Sequence, residues 1–366
     1  MKSRTTRWCV IWTIVGCQAS FSQVTTTSVP FLLVAPDART SGMGESGVAL
    51  SDNVWATYWN PAAYAFQAGM LVAADYAYWQ PSLNPGDMWL GHTVYAQGIQ
   101  DLHGTVSAMI SYFSQGEIGH TLTDATVVGT FHSYDFAITL GYSTKISDVW
   151  GMGFNVRLIR SVLSPFGVLQ DPTAATATGL SFDFGMLFHP AKVLRGDILD
   201  RFSFGFNLSN IGPKLTYRDN SIPDPIPTNL RFGLAFKFLE SKENNITLVG
   251  DFDKLLVNYT NGNPDGFIQG IFTSWTKKTF SEELGSFDTG LGFEYWYGYP
   301  KLIGLRTGYF YEDPRYGNRK FLTFGLGLSL DSYGFDFSYA AASQRDNPVG
   351  GTLRFSLSGS FGHVDH

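Results

Sequence analysis

Many short segments of this chain alternate between large apolar side chains and small or polar ones. In residues 321–330 (FLTFGLGLSL), every second side chain from Leu322 onward is Leu or Phe, and the positions between hold Thr, Gly or Ser. Residues 201–210 (RFSFGFNLSN) and 230–238 (LRFGLAFKF) repeat the pattern. A period of two predicts β-strands with two different faces. A large apolar face opposite a small one favours a barrel with lipid outside and a crowded lumen inside.

This pattern predicts about fourteen strands of roughly ten residues, a length that crosses a bilayer when the strand is tilted. The even number lets an antiparallel sheet close on itself. The sequence therefore predicts an all-β fold, a 14-stranded antiparallel transmembrane β-barrel over residues 70–361. The predicted strands are 70–79, 89–97, 104–114, 134–145, 150–163, 179–188, 201–210, 229–239, 246–255, 287–297, 302–311, 321–330, 334–342 and 352–361.

The connections have the unequal lengths that such barrels show at their two ends. If the barrel begins in the periplasm, the short links 146–148, 240–245, 298–301 and 331–333 follow even-numbered strands and are periplasmic turns. The long links 164–178, 211–227 and 256–286 follow odd-numbered strands and are extracellular loops. Residues 190–200 are an exception, because that predicted periplasmic link is long.

The last segment, TLRFSLSGSF, alternates in the same way and ends on an aromatic residue near the chain terminus, as bacterial outer-membrane strands commonly do. The alternative is a soluble all-β protein such as a propeller, which is also Gly-rich and alternating. Blade-length repeats are absent, however, and an export signal is present, so the barrel is favoured.

The first 22 residues have the pattern of a secretory signal peptide. Three basic residues precede an apolar run from Trp8 to Gly16, and small residues follow, with cleavage expected after Ser22. Cys17 ends a sequence that resembles a lipobox, so a lipidated Cys17 is the alternative N-terminus. In either case the mature chain has no cysteine pair. Residues 362–366 are predicted to be a solvated tail.

The composition narrows the function classes. Charged residues make up 15% of the chain, aromatic residues 16%, and the net charge is −6, whereas soluble domains carry roughly a quarter charged residues. No basic run interleaved with aromatic residues suits nucleic acid. No pair of His has metal-ligand spacing on one element, and no G-x-S-x-G is present. The sequence therefore predicts no enzyme activity, no cofactor, no metal site and no nucleic-acid partner.

Residues 23–69 are Gly-rich and too irregular for strands, and we expect them to form a hatch folded into the lumen. The glycines permit close backbone packing, and an Asn-Pro pair sets a turn or a helix start. A buried Arg39 needs a carboxylate partner, from Asp37, Asp52 or the barrel wall. The candidate hatch residues are Pro36, Asp37, Arg39, Gly42, Met43, Gly44, Gly47, Asp52, Asn60 and Pro61.

Two loops are candidates for binding a partner. The first places Phe166, Val168 and Leu169 at a predicted loop tip, which is costly in water unless a partner or a neighbouring loop covers them. The second candidate is the long loop with Phe272, Trp275 and Phe280.

A family resemblance is carried by these same residues. The stretch APDARTSGMGESGVALSDNVWATYWNPAA resembles the N-terminal hatch of the FadL superfamily of outer-membrane barrels. The lead-in VPFLLVAPDAR, with the later IFTSW and FSEEL, more narrowly resembles the PorV family, also called LptO, of the type IX secretion system. NPAA stands where NPAK is expected in that family, so one possible lumen charge is missing.

The PorV resemblance implies a carrier in the outer membrane of a Gram-negative, Bacteroidetes-like cell. Its implied partners are a SprA-type translocon barrel, cargo proteins with a C-terminal sorting domain, a surface attachment complex and outer-membrane lipid. The FadL resemblance implies instead a channel for hydrophobic small molecules. A shared fold does not decide between these functions.

Overall fold

Fourteen antiparallel strands close into one barrel in the computed structural model. The structure describes residues 27–81, 88–121, 127–165, 175–190, 198–217, 222–276, 279–342, 347 and 349–362. The predicted signal peptide and Cys17, the end of the tail, and the loop tip with Phe166, Val168 and Leu169 lie outside the described residues.

Each barrel strand pairs with the next along the chain, and the first pairs with the last. The barrel strands are β1 (Met70–Tyr78), β2 (Trp89–Ile99), β3 (Gly104–Thr121), β4 (Val127–Lys145), β5 (Trp150–Ser164), β6 (Ala175–Phe188), β7 (Phe202–Ile211), β8 (Asn229–Glu240), β9 (Asn244–Leu255), β12 (Phe287–Tyr297), β13 (Ile303–Tyr311), β14 (Lys320–Leu330), β15 (Tyr333–Ala342) and β16 (Leu353–Phe361). The two-residue strands β10 (Tyr259–Thr260) and β11 (Asn263–Pro264) form a separate hairpin.

The described helices are short. The α-helices are α1 (Ala38–Ser41), α2 (Ala56–Trp59), α3 (Phe267–Thr273) and α4 (Phe280–Gly285), and the 3-10 helices are Pro30–Leu33, Pro61–Phe66, Gln100–Leu102 and Ile198–Arg201. In the part of the chain that the structure describes, no helix has the length and apolar character needed to cross a bilayer.

The prediction of a 14-stranded antiparallel barrel is confirmed, and each predicted strand corresponds to one observed strand. The main difference is in β3 and β4, which have 18 and 19 residues. Their pairing continues past a register shift between Ser114 and Glu117, so this hairpin extends beyond the bilayer-length segment expected from alternation. The long link 256–286 also holds β10, β11, α3 and α4, which the sequence analysis did not predict.

The two faces of the wall are as predicted. On β14, Leu322 and Phe324 are 48% and 49% exposed, whereas Thr323 between them is buried. The barrel therefore presents large apolar side chains outward and small or polar ones inward, as expected for a barrel in lipid.

The two ends of the barrel differ in the lengths of their links. The links 146–149, 241–243, 298–302 and 331–332 are short and lie at what we call the turn end. The links 212–228, 256–286 and 312–319 are longer and lie at the opposite end, the loop end. The link 189–201 is the expected long exception at the turn end. The length pattern is as predicted, while the assignment of each end to a cell compartment stays a prediction.

Aromatic side chains form rows at both ends of the wall. At the loop end, Trp89 contacts Tyr76 and Tyr112, and Tyr112 stacks on Tyr134 with 5.6 Å between ring centroids. At the turn end, the rings of Trp150, Phe188, Phe204, Phe202 and Phe236 follow one another across β5 to β8. Such rows mark the interfacial levels of a membrane barrel.

Candidate functional site

The N-terminal segment, residues 27–69, runs through the lumen from the loop end to the turn end. The Ser28 backbone N–H donates to the Pro225 carbonyl at the loop end (2.9 Å), and Gly69 leads into β1 at the turn end. Between them, α1 contacts β14, β15 and β16, while the helix Pro61–Phe66 contacts β4, β5 and β6. These strand groups lie across the barrel from each other, so the segment spans the space between them.

Apolar packing holds the start of the segment at the loop end. Phe31 and Leu32 are buried in a cluster with Leu215, Ile226 and Phe310 of the barrel and its loops. Burying such side chains contributes roughly 1.5–3 kcal/mol each relative to exposure. The segment is therefore attached here by the hydrophobic effect and deeper in the lumen by polar contacts.

Asp37 organises the fold of the segment itself. Its carboxylate caps α1 by accepting from the Thr40 backbone N–H (2.8 Å), and it also accepts from the Thr40 hydroxyl and from the Trp59 indole N–H (2.9 Å). Burial raises the pKa of the Asp37 carboxyl, while these hydrogen bonds oppose that rise. Pro36 beside it is buried as well. Asp37 is thus engaged within the segment and is not the partner of Arg39.

Arg39 reaches two other carboxylates. Its Nε and Nη2 donate to Glu294 on β12 at 2.9 and 2.8 Å, and its Nη1 donates to Asp52 at 3.1 Å. Two parallel bonds from a guanidinium to one carboxylate are among the strongest charge-assisted contacts in proteins. The sequence left three possible partners for Arg39: Asp37, Asp52 and a carboxylate of the barrel wall. In the structure, Arg39 binds Asp52 and the wall residue Glu294.

The same carboxylates extend the contact into an alternating charge network on the wall. Glu294 also accepts from Arg306 of β13 (2.8 Å), and Arg306 donates onward to Asp336 of β15 (2.6 Å). The other carboxylate, Asp52, lies 3.8 Å from Lys301. Burial raises the pKa of Asp52, but Arg39 and Lys301 outweigh it and hold that pKa at about 2. The network thus links the segment to β12, β13 and β15.

The Gly42-Met43-Gly44 turn lies directly on the wall backbone. Gly44 has φ +68°, and a β carbon there would stand 2.6 Å from the Leu291 carbonyl oxygen. Its N–H donates to the Thr323 hydroxyl (2.9 Å). A β carbon at Gly42 would be 3.0 Å from the Cα of Gly325. Small residues on both surfaces therefore allow this close approach.

The second half of the segment is fixed by side chains that accept or donate to backbone groups. Asp251 of β9 accepts from the N–H of Gly47 (2.6 Å) and of Val48 (2.9 Å). The Asn60 amide donates to the carbonyls of Val48 (3.0 Å) and Met186 (2.9 Å), and its Oδ1 caps the helix that begins at Pro61. The predicted turn at Asn60-Pro61 is therefore the start of a short helix bound to β6.

The wall residues that hold the segment were not predicted from the sequence. Glu294, Asp251 and Arg306 lie on the inward face of their strands and are buried. Their positions in the alternation could have identified them, because a charged side chain at an inward position needs a partner inside the lumen.

A cavity opens beside this network at the turn end. It has a volume of about 360 Å³, and its lining includes Arg39, Asp52, Trp296, Lys301 and Asp336. Apolar side chains such as Trp55, Phe66 and Leu71 also line it, so the cavity is neither purely polar nor purely apolar. Across the described residues, no cluster of three His, Cys, Asp or Glu side chains is arranged to hold a metal ion.

The loop candidates differ in their exposure. Phe272 and Phe280 are 70% and 80% exposed at the loop end. Trp275 is partly exposed, but its ring packs on Phe287 at 6.1 Å between centroids. The structure therefore places two of these three side chains at the surface and uses the third for packing.

The fold is similar to solved outer-membrane barrels. The toluene transporter TbuX of Ralstonia pickettii aligns with a TM-score of 0.53 and 12% identity, over 91% of this chain and 100% of its own. The CymD monoaromatic hydrocarbon channel aligns at 0.54 and 13%, over 90% and 99%. A FadL homologue of Pseudomonas aeruginosa aligns at 0.50 and 13%, over 89% and 98%. At such low identity these likenesses show the fold alone.

Sequence comparison gives a narrower result. No curated protein matches the chain by sequence. The family described as type IX secretion system protein PorV matches residues 18–261, which is more than half of the 366 residues. This barrel, with its Gly-rich segment bound across the lumen, therefore belongs to the PorV family of type IX secretion system proteins.

Proposed function

We propose that this protein is an outer-membrane carrier of type IX secretion. It receives exported cargo from a SprA-type translocon barrel by the cargo's C-terminal sorting domain and delivers it to the surface attachment complex. Family membership supports this role, and so does the outer-membrane barrel fold. The observation that carries the proposal is the match to the PorV family, and a segment bound to the wall at several points agrees with a protein that works through its outer surfaces.

Residues 23–69 act in this proposal as a fixed hatch. The support is the variety of its attachments: an apolar cluster at the loop end, the Arg39–Glu294 pair, and backbone bonds to Asp251. Contacts of three different kinds on different strands oppose displacement more strongly than one contact would. The hatch therefore seals the barrel while cargo is carried outside it.

Cargo and translocon contacts belong at the loop end, which the proposal assigns to the cell surface. Phe166, Val168 and Leu169 remain predicted contact residues on this side. Residues 1–22 are proposed to direct export, and the turn end to face the periplasm. No step of this role calls for a catalytic group, in keeping with the transport family and fold.

A FadL-type channel for hydrophobic small molecules is the alternative. It needs an apolar path past the hatch, and the turn-end cavity is lined by charged and apolar side chains together. The match to the PorV family, and not the lumen, favours the carrier over the channel.

Deletion of the protein tests the proposal. Cargo with the C-terminal sorting domain should accumulate in the periplasm, and re-expression of the intact protein should restore its secretion. A periplasmic enzyme should stay inside the cells, as a control for envelope leakage. The intact protein, purified from wild-type cells, should capture both cargo and translocon barrel. Normal secretion together with lost uptake of a hydrophobic compound would replace the carrier by the channel.

A further inference from the structure

Part of the long loop between β9 and β12 lies against the outside of the barrel. Asp251 of β9 points into the lumen, since its carboxylate binds the N-terminal segment. Strand alternation therefore turns Phe252 and Lys254 outward. Phe287 of β12 is the cross-strand partner of Lys254 and shares this face. Phe252 is 46% exposed there, as a lipid-facing side chain should be.

Lys254 is outward-facing and nevertheless fully buried, because the loop covers it. Its Nζ lies 2.7 Å from the Glu283 carboxylate and donates to the Ser286 hydroxyl, both at the end of the α4 region. The ammonium also lies 4.7 Å from the ring centroid of Trp275, which packs on Phe287. This cluster of Lys254, Trp275, Glu283 and Phe287, which we call the clamp, fastens α3 and α4 to the outer wall.

The backbone of α3 also approaches this wall closely. A β carbon at Gly270 would lie 3.0 Å from the carbonyl oxygen of Leu256, the residue that follows β9. Gly270 and Leu256 are both buried, whereas their neighbours on the other side of α3 are exposed. The helix therefore has one face on the barrel and one face turned away from it.

The clamp lies at the level of the outer membrane interface. From Ile246 to Lys254, β9 covers about nine residues, and a tilted strand of about 9–11 residues crosses the hydrocarbon layer. Lys254 is therefore at the loop-end boundary of that layer. The row of Tyr76, Trp89, Tyr112 and Tyr134 marks the same boundary near the loop end of β1 to β4.

The faces of α3 and α4 that turn away from the barrel are strongly apolar. Ile268, Phe272, Phe280 and Leu284 are 61%, 70%, 80% and 58% exposed. In water, a group of exposed apolar side chains of this size is costly unless something covers it. Through Trp275 and Phe287 this group continues into the lipid-facing wall, so lipid is the covering material already present at this position.

We propose that α3 and α4 form an interfacial anchor in the outer leaflet, with Phe272 and Phe280 inserted among lipid chains. The clamp sets the anchor's position, as expected for short amphipathic helices that lie in a membrane interface. The inference rests on the outer-membrane location and goes beyond the carrier role. It assigns to lipid the side chains that the sequence assigned to a protein partner.

Spin labels in lipid nanodiscs test this assignment. Phe272→Cys and Phe280→Cys are labelled in the full barrel, in nanodiscs of phosphatidylethanolamine and lipid A. Both labels should collide more often with oxygen, which concentrates in lipid, than with a water-soluble nickel complex. Asn263→Cys, exposed in the β10–β11 hairpin at the same end, is the matched control and should show the reverse ratio. Labels at 272 and 280 that behave like the control overturn the proposal.

A second variant covers the case in which a label disturbs the helices. Glu283→Gln weakens the clamp without changing an exposed apolar residue, and it should lower the oxygen-to-nickel ratio at Phe272→Cys while the barrel stays folded. An unchanged ratio counts against the clamp. If the labels are in water in nanodiscs and become protected only after a translocon barrel is added, the surface binds protein and the lipid assignment is wrong. That result would leave the carrier proposal intact.

Discussion

Arg39 of the N-terminal segment and Glu294 of β12 are joined by two hydrogen bonds, at 2.9 and 2.8 Å, across 255 residues of sequence. Glu294 is fully buried, and it also accepts from Arg306. The pair therefore connects the segment to a charge network that is already part of the wall. A segment held in this way is coupled to the stability of the barrel.

Replacing Arg39 by Ala should reveal this coupling. Glu294 keeps Arg306 but loses two charge-assisted bonds, so we expect the free energy of unfolding to fall by about 2–4 kcal/mol. Denaturant unfolding in detergent, followed by the heat-modifiable mobility of the barrel, measures the change. Arg39→Lys is the control, because it keeps the positive charge but cannot make two parallel hydrogen bonds to Glu294. Its free energy of unfolding should lie between those of the wild type and Arg39→Ala. An unchanged midpoint for Arg39→Ala would show that the pair contributes no net stability to the barrel.

Gly44 should resist substitution by Ala because two effects add there. A β carbon would be strained at φ +68° and would also stand within 2.8 Å of the Tyr309 backbone. Gly262→Ala is the matched control, since Gly262 has φ +79° but no atom within 4 Å of the added β carbon. Backbone strain alone should lower the free energy of unfolding of Gly262→Ala by about 1 kcal/mol. Gly44→Ala should lower it clearly more. Equal losses would mean that the wall contact is unimportant.

Acid should weaken the contact between Arg39 and Asp52, because Asp52 becomes protonated as the pH falls. The folded pKa of Asp52 is about 2, because Arg39 and Lys301 outweigh the effect of burial, whereas an unfolded Asp has a pKa of about 3.9. Its contribution is therefore present above about pH 4 and is lost as pH falls toward about 2. Asp52 is half exposed, so we expect at most about 1 kcal/mol. Stability compared at about pH 6 and about pH 3 should change less in Asp52→Asn than in the wild type.

Single cysteines test which end of the barrel faces outside. Asn263 lies in the β10–β11 hairpin at the loop end, and Ser332 lies in the turn between β14 and β15. On intact cells, an impermeant thiol reagent should label Asn263→Cys and leave Ser332→Cys unlabelled. After the outer membrane is disrupted, both should react. The opposite pattern on intact cells would invert the barrel.

Alternation predicted the barrel because lipid and lumen impose different side chains on the two faces of each strand. It also predicted the strand order, since each segment pairs with the next. It could not predict how far β3 and β4 extend, because pairing beyond the membrane no longer depends on an apolar face. Nor did it predict α4, although Thr279 and Glu282 form a capping box that a local search for helix starts could have found.

For the contacts in the lumen, the sequence predicted the kind of partner that a buried side chain needs but not which residue supplies it. A buried Arg39 implied a carboxylate, but Glu294 is distant in sequence, and only closure of the barrel brings β12 next to the segment. Asp37 was an equally plausible partner by sequence distance. Its use as a helix cap depends on Trp59, which approaches it only after the segment folds back on itself.

A disulfide between the N-terminal segment and the barrel wall should distinguish the carrier from the channel. Thr57 of α2 and Ser107 of β3 are both buried, and their hydroxyl oxygens are 3.2 Å apart. Two short side chains in hydroxyl contact hold their β carbons near the spacing that a disulfide requires. The double variant Thr57→Cys with Ser107→Cys should therefore oxidise after export and lock the segment to the wall. The two native cysteines, Cys9 and Cys17, both lie in the proposed signal peptide.

Because the proposed carrier works through its outer surfaces, the locked protein should still restore cargo secretion to the deletion strain. Each single variant controls for the substitutions, and a reducing agent controls for the cross-link. A channel would require the segment to move, so uptake of a hydrophobic compound would fall on oxidation and recover on reduction. Secretion that is lost on oxidation and recovers on reduction would show that the segment moves during the carrier cycle. The fixed-hatch part of the proposal would then be wrong, while the carrier role itself would stand.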